Sequence, residues 1–410
     1  MNAPALQPAL PSGAVAPALR DTVYRVSKDE TTPHGLSMTQ ISRSIGLARI
    51  VLIIGLVFLH YDNFPNSRAV PFEGLDTEEH SFATWLNSAI LFFFFSTVPL
   101  LSMVSGWLFF SFMPEQAWHS IFRRTRRRFI SLYMPLVVWN AAYLLMFYAA
   151  FRWNPNASVF SHMSRLGIDL SHAGWKEYMN AVFGVTGEPF ALQFWFVRDL
   201  FVTTLVTPVF WMLIRYAPWL GAALMGMIWL SDWNMFIFFR PDVPFFFYMG
   251  ALIHQKKLPM VIPLRPTLIL FALYVGLAAL RALAPYVVDF SNHMYPEWLQ
   301  VATRLMRICG VLGCWGLIYR WSETKTGEAL SRVGGLAFFL HSAHWPLLGI
   351  IKVIVWRFIP DESDAWMLAH DLISVSVTVA IGLALGLGLA RAAPGIFALM
   401  NGGRHLAQGS

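Results

Sequence analysis

Arg49-Ile-Val-Leu-Ile-Ile-Gly-Leu-Val-Phe-Leu-His60 is an apolar run that opens on a permanent cation and closes on a titratable imidazole. It reads as the core of a first membrane-crossing helix, beginning near residue 45. Ionisable groups inside a bilayer are costly and usually mark a working site or pathway. Eleven steps of about 1.5 Å put the two side chains roughly 16 Å apart, about half a hydrocarbon core. The cation therefore belongs near one face and the imidazole well towards the other. Two plainer readings stand beside this one: Arg49 snorkelling to lipid phosphates, and His60 simply ending the helix at the interface.

The rest of the chain has the same character. Of its 410 residues, 56% are hydrophobic and 13% charged, with a mean hydropathy of +0.53. Soluble domains carry about 25% charged residues, so the composition predicts an all-α, polytopic membrane protein. Apolar segments recur at about 45–61, 82–112, 129–151, 191–214, 217–237, 243–254, 264–287, 299–320, 333–356 and 367–394, which predicts ten spans. Asp232, Arg240 and Asp242 interrupt the fifth and sixth, and the sixth is barely half a normal span. The first 40 residues are rich in Pro and Ala without helical periodicity and read as a disordered cytoplasmic tail, with no cleaved signal peptide ahead of the first span. Residues 41–395 form the membrane domain, and 396–410 a cytoplasmic tail.

Loop charges fix the expected orientation. With the N-terminus inside, eighteen Lys and Arg fall in cytoplasmic segments and six in the opposite loops, which instead collect acids such as Asp62, Glu73, Glu79 and Asp364. This positive-inside bias puts both termini in the cytoplasm. The net charge of +7 is a loop property without any basic–aromatic module, and no nucleic-acid partner is expected. Cys309 and Cys314 share one apolar segment and read as small apolar fillers, not as a disulfide or metal framework.

Under that topology, Arg198 and Asp199 lie in the outer part of the fourth span. Arg304 and Arg307 share a face in the outer half of the eighth. Arg281 and Lys352 sit near outer helix ends, and His341 and His344 lie one turn apart near the middle of the ninth. Cations and imidazoles at middle to outer depth suggest a water-filled cavity for an anionic or strongly polar ligand. The structural alternatives are equally concrete. Arg198 and Asp199, as sequence neighbours, would point apart to separate partners, and Arg304 and Arg307 would neutralise outer acids. The Arg123–Arg128 run is first a topology determinant. No further ligands join His341 and His344, so no metal is expected.

Several short motifs follow the Arg-x10-His span in order. They are Ser105-Gly106-Trp107-Leu108, the Arg123–Arg128 loop leading to Pro135, Gln193-Phe-Trp195-Phe-Val-Arg198-Asp199-Leu, Phe245-Phe-Phe-Tyr-Met-Gly250, and Ala337-Phe-Phe-Leu-His-Ser-Ala-His344-Trp-Pro346-Leu-Leu. This series resembles the family-3 membrane acyltransferases of bacteria over roughly residues 40–395. That family includes enzymes that O-acetylate exported polysaccharide and lipopolysaccharide, and enzymes that succinylate periplasmic glucans. His341 departs from the family pattern, where an aromatic or apolar residue is common.

The resemblance implies an inner-membrane O-acyltransferase that moves an acetyl or succinyl group from cytosolic acyl-coenzyme A to a glycan or lipid-linked saccharide. It implies that Arg49 and His60 are both needed. No permanently bound cofactor is expected, and acyl-coenzyme A is a substrate. Arg49, with Arg123 and Arg127, would bind its phosphates. A pantetheine arm of roughly 15–20 Å would then carry the thioester towards His60. His60 would serve as general base or, in a variant, carry the acyl group itself. Arg198, Trp195 or Arg304 would stabilise the oxyanion. Asp199 would orient an imidazole, and Trp195, Arg304, Arg307 and His344 would contact the acceptor.

Other chemistries find little support. The chain has no Gly-x-Ser-x-Gly elbow, no His-Glu-x-x-His and no His-x4-Asp. Ser105 beside Gly106 reads as a close-packing pair before a nucleophile. The competing class is a transporter or flippase for an anionic glycan or lipid-linked precursor, using the same cationic cavity without chemistry; no internal repeat of the transporter kind is evident.

Overall fold

The computed structural model of the chain describes residues 37–62, 64, 74–76, 79–155, 168–288, 290, 296–360 and 362–404. The expected N-terminal tail falls almost wholly outside these residues. So do Arg20, Arg25, Lys28, Arg68, Glu73, Glu78, Arg165 and Asp361, which entered the charge asymmetry.

Sixteen α-helices and no strands are found among the described residues. In a bilayer each backbone polar group must be satisfied within the protein, which favours helix for every apolar run. The long elements are α1 (Met38–Leu59), α5 (Met134–Trp153), α11 (Leu264–Arg281), α12 (Glu297–Trp321), α14 (Ala337–Trp356) and α15 (Asp364–Ala392). The broken crossings are α2 (Ser81–Phe94) with α3 (Thr97–Phe109), and α7 (Phe194–Leu205) with α8 (Thr207–Tyr216), the second pair bent by 57°. Shorter pieces are α4 (Ala117–Arg128), α6 (Trp175–Phe183), α9 (Pro218–Leu230), α10 (Asp242–Gln255), α13 (Lys325–Val333) and α16 (Pro394–Met400).

Each of the ten apolar segments contains helix, but ten full spans are not found among the described residues. There, seven helical stretches are long and apolar enough to cross a membrane, or eight when the bent α7–α8 pair counts as one. The difference lies in α9 and α10. With 13 and 14 residues, they reach only about 20 Å against a hydrocarbon core of about 30 Å. Acids bound them on one side: Asp232 lies just after α9 and Asp242 opens α10, each paired with an arginine of α12.

The breaks in the spanning helices are organised by proline, which lacks an N–H and so frees the carbonyl four residues back. Pro346 frees Ser342, whose carbonyl accepts from Tyr143 Oη at 2.9 Å and Gln193 Nε2 at 3.1 Å. Pro208 frees Thr204, which accepts from Thr125 Oγ1 at 3.2 Å and Thr207 Oγ1 at 2.6 Å. Pro135 frees Ser131, which accepts from Arg404 Nη1 at 3.2 Å. The α2–α3 break is sealed by Tyr274, whose hydroxyl contacts Phe93 O at 2.6 Å and accepts from Ser96 N–H at 3.1 Å.

Helix α3 lies directly on α10. A Cβ at Gly106 would come within 2.0 Å of Phe247 O, and one at Gly250 within 1.9 Å of Met103 O. Only glycine permits that approach, so the Ser105-Gly106 step is a crossing point, as small residues in membrane helices often are. The segment expected as a C-terminal tail folds back in part: α16 packs on α5 and α15, with Trp139 Nε1 donating to Met400 O at 2.9 Å and Asn401 Nδ2 to Gly335 O at 2.9 Å.

Candidate functional site

Helix α1 carries Arg49 and His60 to two different neighbourhoods. Around Arg49 is a pocket, partly open to solvent, walled by aliphatic and phenylalanine side chains of α1, α3, α7 and α14. Its polar lining is Arg49, Arg128, Arg404, Ser105 and His341. Arg128 comes from the last turn of α4, and Arg404 from the segment after α16. Arg404 is held by the Ser131 and Asn401 carbonyls at 3.2 and 2.9 Å and lies 4.5 Å over the Phe338 ring. Burial and the neighbouring Arg49 and Arg128 cations lower the Arg404 guanidinium to about 9. Among the described residues no carboxylate pairs with any of the three. Crowded guanidinium groups without acids in a low-dielectric wall form an anion site, suited to phosphate oxygens above all.

At the other end of the run, His60 closes α1 with its Nδ1 2.8 Å from Leu56 O. The same nitrogen lies 3.3 Å from His344 Nε2, and the two rings are tilted with centroids 5.0 Å apart. His344 Nδ1 in turn faces Leu340 O at 3.3 Å. A carbonyl oxygen only accepts, so each neutral ring carries its proton on Nδ1. His60 Nδ1–H is then shared between Leu56 O and the lone pair of His344 Nε2. That leaves His60 Nε2 as a lone pair with no partner among the described residues, the state a general base requires. Trp345, before Pro346, departs from helical geometry (φ −104°, ψ 129°), so α14 breaks directly after His344. His341, one turn earlier, lines the arginine pocket, with its ring 5.8 Å from that of His344.

The other predicted residues are placed differently. Arg198 and Asp199 do not point apart to separate partners: Arg198 Nη1 meets Asp199 Oδ1 at 2.9 Å. The arginine also donates to Gly184 O at 3.0 Å, Val185 O at 3.1 Å and Ile237 O. The second carboxylate oxygen accepts from the Phe239 and Arg240 N–H groups, both at 2.9 Å. The pair therefore clamps two connecting loops to α7. It makes no contact with an imidazole, because backbone donors and its own neighbour occupy both carboxylate oxygens. Trp195 is half-buried under the Arg240 guanidinium, 5.2 Å from its ring centre.

Arg304 pairs with Asp232 at 2.7 Å and with Leu230 O at 3.0 Å, and Arg307 with Asp242 at 2.5 Å. Trp229 Nε1 also donates to that carboxylate, at 2.9 Å. Arg281 donates to Thr303 Oγ1 at 3.0 Å, and Lys352 to Tyr61 O at 2.6 Å. Arg304 and Arg307 are thus engaged by acids, which sets them apart from the three arginines of the pocket.

In the basic run, Arg123 and Arg127 are exposed, and Arg124 caps the end of α3 through Leu108 O at 2.6 Å and Phe109 O at 2.8 Å. Arg128 is the member that enters the pocket. Its position was readable: Ala117, Ile121, Arg124 and Arg128 recur at helical spacing on the buried face of α4. Arg404 carried no such signal.

A family model described as an acyltransferase domain, the third family of that kind, matches residues 42–390. The chain belongs to that family. As a family-3 acyltransferase it is a multi-pass O-acyltransferase, and the pocket and the histidines all fall on or beside the matched region. The chain is similar to the succinoglycan biosynthesis protein ExoH of Rhizobium meliloti (strain 1021), 28% identical over 323 residues that cover 77% of this chain and 81% of the relative. No solved structure matches it.

Proposed function

We propose that this family-3 acyltransferase moves an acyl group from acyl-coenzyme A, bound by its phosphates among Arg49, Arg128 and Arg404, to a hydroxyl of a glycan that meets the thioester at His60. The single observation that carries this is the division of α1. One end bears a guanidinium in an acid-free pocket, and the other, roughly 16 Å along the helix, an imidazole held in the tautomer that frees Nε2. An extended pantetheine arm of roughly 15–20 Å spans that separation.

In the transfer step, His60 Nε2 takes the proton of the acceptor hydroxyl as its oxygen attacks the thioester carbonyl. The new C–O bond forms, the C–S bond breaks, and the departing thiolate recovers the proton from His60. The Leu56 carbonyl and His344 hold the Nδ1 proton throughout and favour the imidazolium that forms transiently, which is how an orienting third group assists a base.

The loop charges support an inner-membrane orientation with both chain ends in the cytosol, where acyl-coenzyme A is made. Similarity to a succinoglycan biosynthesis protein supports a polysaccharide or its lipid-linked precursor as acceptor.

The test is to purify wild type, His60→Ala and Arg49→Ala in detergent and follow thioester cleavage, while cellular glycan is analysed for ester-linked acyl groups. Folded variants lacking both activities are the expected result. Normal esterification by either variant, or a wild type that never consumes acyl-coenzyme A, would overturn the assignment.

A further inference from the structure

His341 is 2% exposed, and neither ring nitrogen completes a hydrogen bond among the described residues. The Gln193 carbonyl is close by without meeting the geometry of one. The ring is otherwise surrounded by Phe194, Phe196 and Phe338, with centroids 5.9, 6.3 and 6.4 Å away. Ser105 Oγ on α3 is also buried and unpartnered, although a helical serine can ordinarily bond back to its own helix. Both residues line the pocket that holds Arg49, Arg128 and Arg404. Buried polar groups are nearly always hydrogen-bonded, so two orphans on residues that line one cavity point to a ligand that supplies their partners.

The chemistry of that ligand can be narrowed. A neutral imidazole offers one donor and one acceptor, and a hydroxyl offers both. Neither is a charge partner, and the wall between them is apolar, with Ile53, Leu101, Val104, Leu108 and Phe338. Neutral groups carrying both a donor and an acceptor, separated by hydrocarbon, fit such a lining; that is the pattern of a chain of secondary amides. Resting on the donor reading above, we propose that Ser105 and His341 are binding residues for the amide groups of the donor's pantetheine arm, and that they hold it in line between the arginines and His60. His341 stands at the inner end of the pair of imidazoles, 5.8 Å from His344, where the arm must pass.

The experiment compares wild type, Ser105→Ala, His341→Phe and His341→Gln on two donors, acyl-coenzyme A and the same acyl group on ethanethiol, which lacks the arm. Removing one neutral hydrogen bond predicts a rise in KM for acyl-coenzyme A of roughly 3- to 10-fold in Ser105→Ala and His341→Phe. In both, kcat stays within about twofold, because neither residue touches the transferred proton. His341→Gln, which keeps a donor and an acceptor, recovers most of the loss. On the ethanethiol ester all four proteins give the same kcat/KM.

Variants that match wild type on both donors overturn the proposal and leave water as the pocket's ordinary occupant. Equal losses on both donors, or a loss confined to dicarboxylic acyl groups, overturn it too, since the residues would then serve the fold or read the acyl group. Those results leave the donor assignment standing. A wild type that never consumes acyl-coenzyme A overturns both. Thermal unfolding of each variant accompanies the kinetics, and Ser105→Ala provides an answer should the His341 variants fail to fold.

Discussion

His344 places its Nε2 3.3 Å from the Nδ1 of His60, a nitrogen whose proton the Leu56 carbonyl holds at 2.8 Å. Two residues separated by 284 positions thus fix one tautomer. Replacing His60 by Ala removes the base and predicts a loss of about 10²–10⁴-fold in kcat. His344→Phe leaves the base but loses one of the two acceptors for its Nδ1 proton, so a smaller fall in kcat with KM unchanged is expected. Steady-state kinetics at saturating acceptor decide it. A His344→Phe enzyme with wild-type kcat would show the contact to be packing alone.

The three pocket arginines should behave as one anion site. Arg128→Ala and Arg404→Ala each remove charge-assisted hydrogen bonds of about 1.5–3 kcal/mol, which corresponds to roughly 10- to 100-fold weaker binding of coenzyme A. Arg49→Lys is expected to lose nearly as much as Arg49→Ala, because an ammonium cannot replace a planar fork. Arg123→Ala and Arg127→Ala, both exposed on α4, should bind within about twofold of wild type. Isothermal titration in detergent measures all six variants, and affinity should weaken with added salt. Equal losses in the exposed and pocket variants would dissolve the distinction.

The Arg198–Asp199 pair predicts a stability defect. Breaking a buried ion pair from one side typically costs about 3–5 kcal/mol, and here it also frees loop carbonyls and N–H groups around Gly184 and Phe239. Asp199→Asn and Arg198→Ala should therefore lower the midpoint of thermal unfolding sharply. Whatever protein stays folded should retain its affinity for coenzyme A. Unchanged melting with abolished turnover would instead place the pair in the chemistry.

Helix crossing at Gly106 and Gly250 gives a paired test. Gly250→Ala forces a Cβ against the Met103 carbonyl, and overpacking of this kind costs about 1–3 kcal/mol or more. Gly276→Ala, where nothing lies within 4 Å, should stabilise α11 by about 0.5–1 kcal/mol. Comparing the two melting curves tests the packing directly; matching shifts in both would contradict it.

Composition and periodicity were enough to read the helical class, the positions of the apolar segments and the two ends of the Arg49–His60 run. In each case a single chemical fact, apolar length or an ionisable group inside it, was decisive. What could not be read depends on partners far along the chain. That Arg304 and Arg307 neutralise acids is a reading the sequence offers; that the acids are Asp232 and Asp242, two apparent interruptions, is not. The rotation of α4 selects Arg128 over Arg123 and Arg127. Arg404 lies beyond the last long helix, and only the reversal at α16 brings it back. His341 showed itself to the sequence as a departure from a family pattern; its lack of partners is a property of three-dimensional surroundings.

The carbonyl freed by Pro135 has an implication for biogenesis. Ser131 emerges early in synthesis, whereas Arg404, which satisfies its carbonyl, follows 273 residues later. Until then a main-chain acceptor near the membrane interior waits unpaired, and the pocket has only two of its three cations. Until Arg404 joins it, the pocket should bind coenzyme A only as weakly as the Arg404→Ala variant does, even with the earlier spans inserted. A chain stopped at Met400 would test this timing: it should insert its spans yet bind coenzyme A no better than Arg404→Ala.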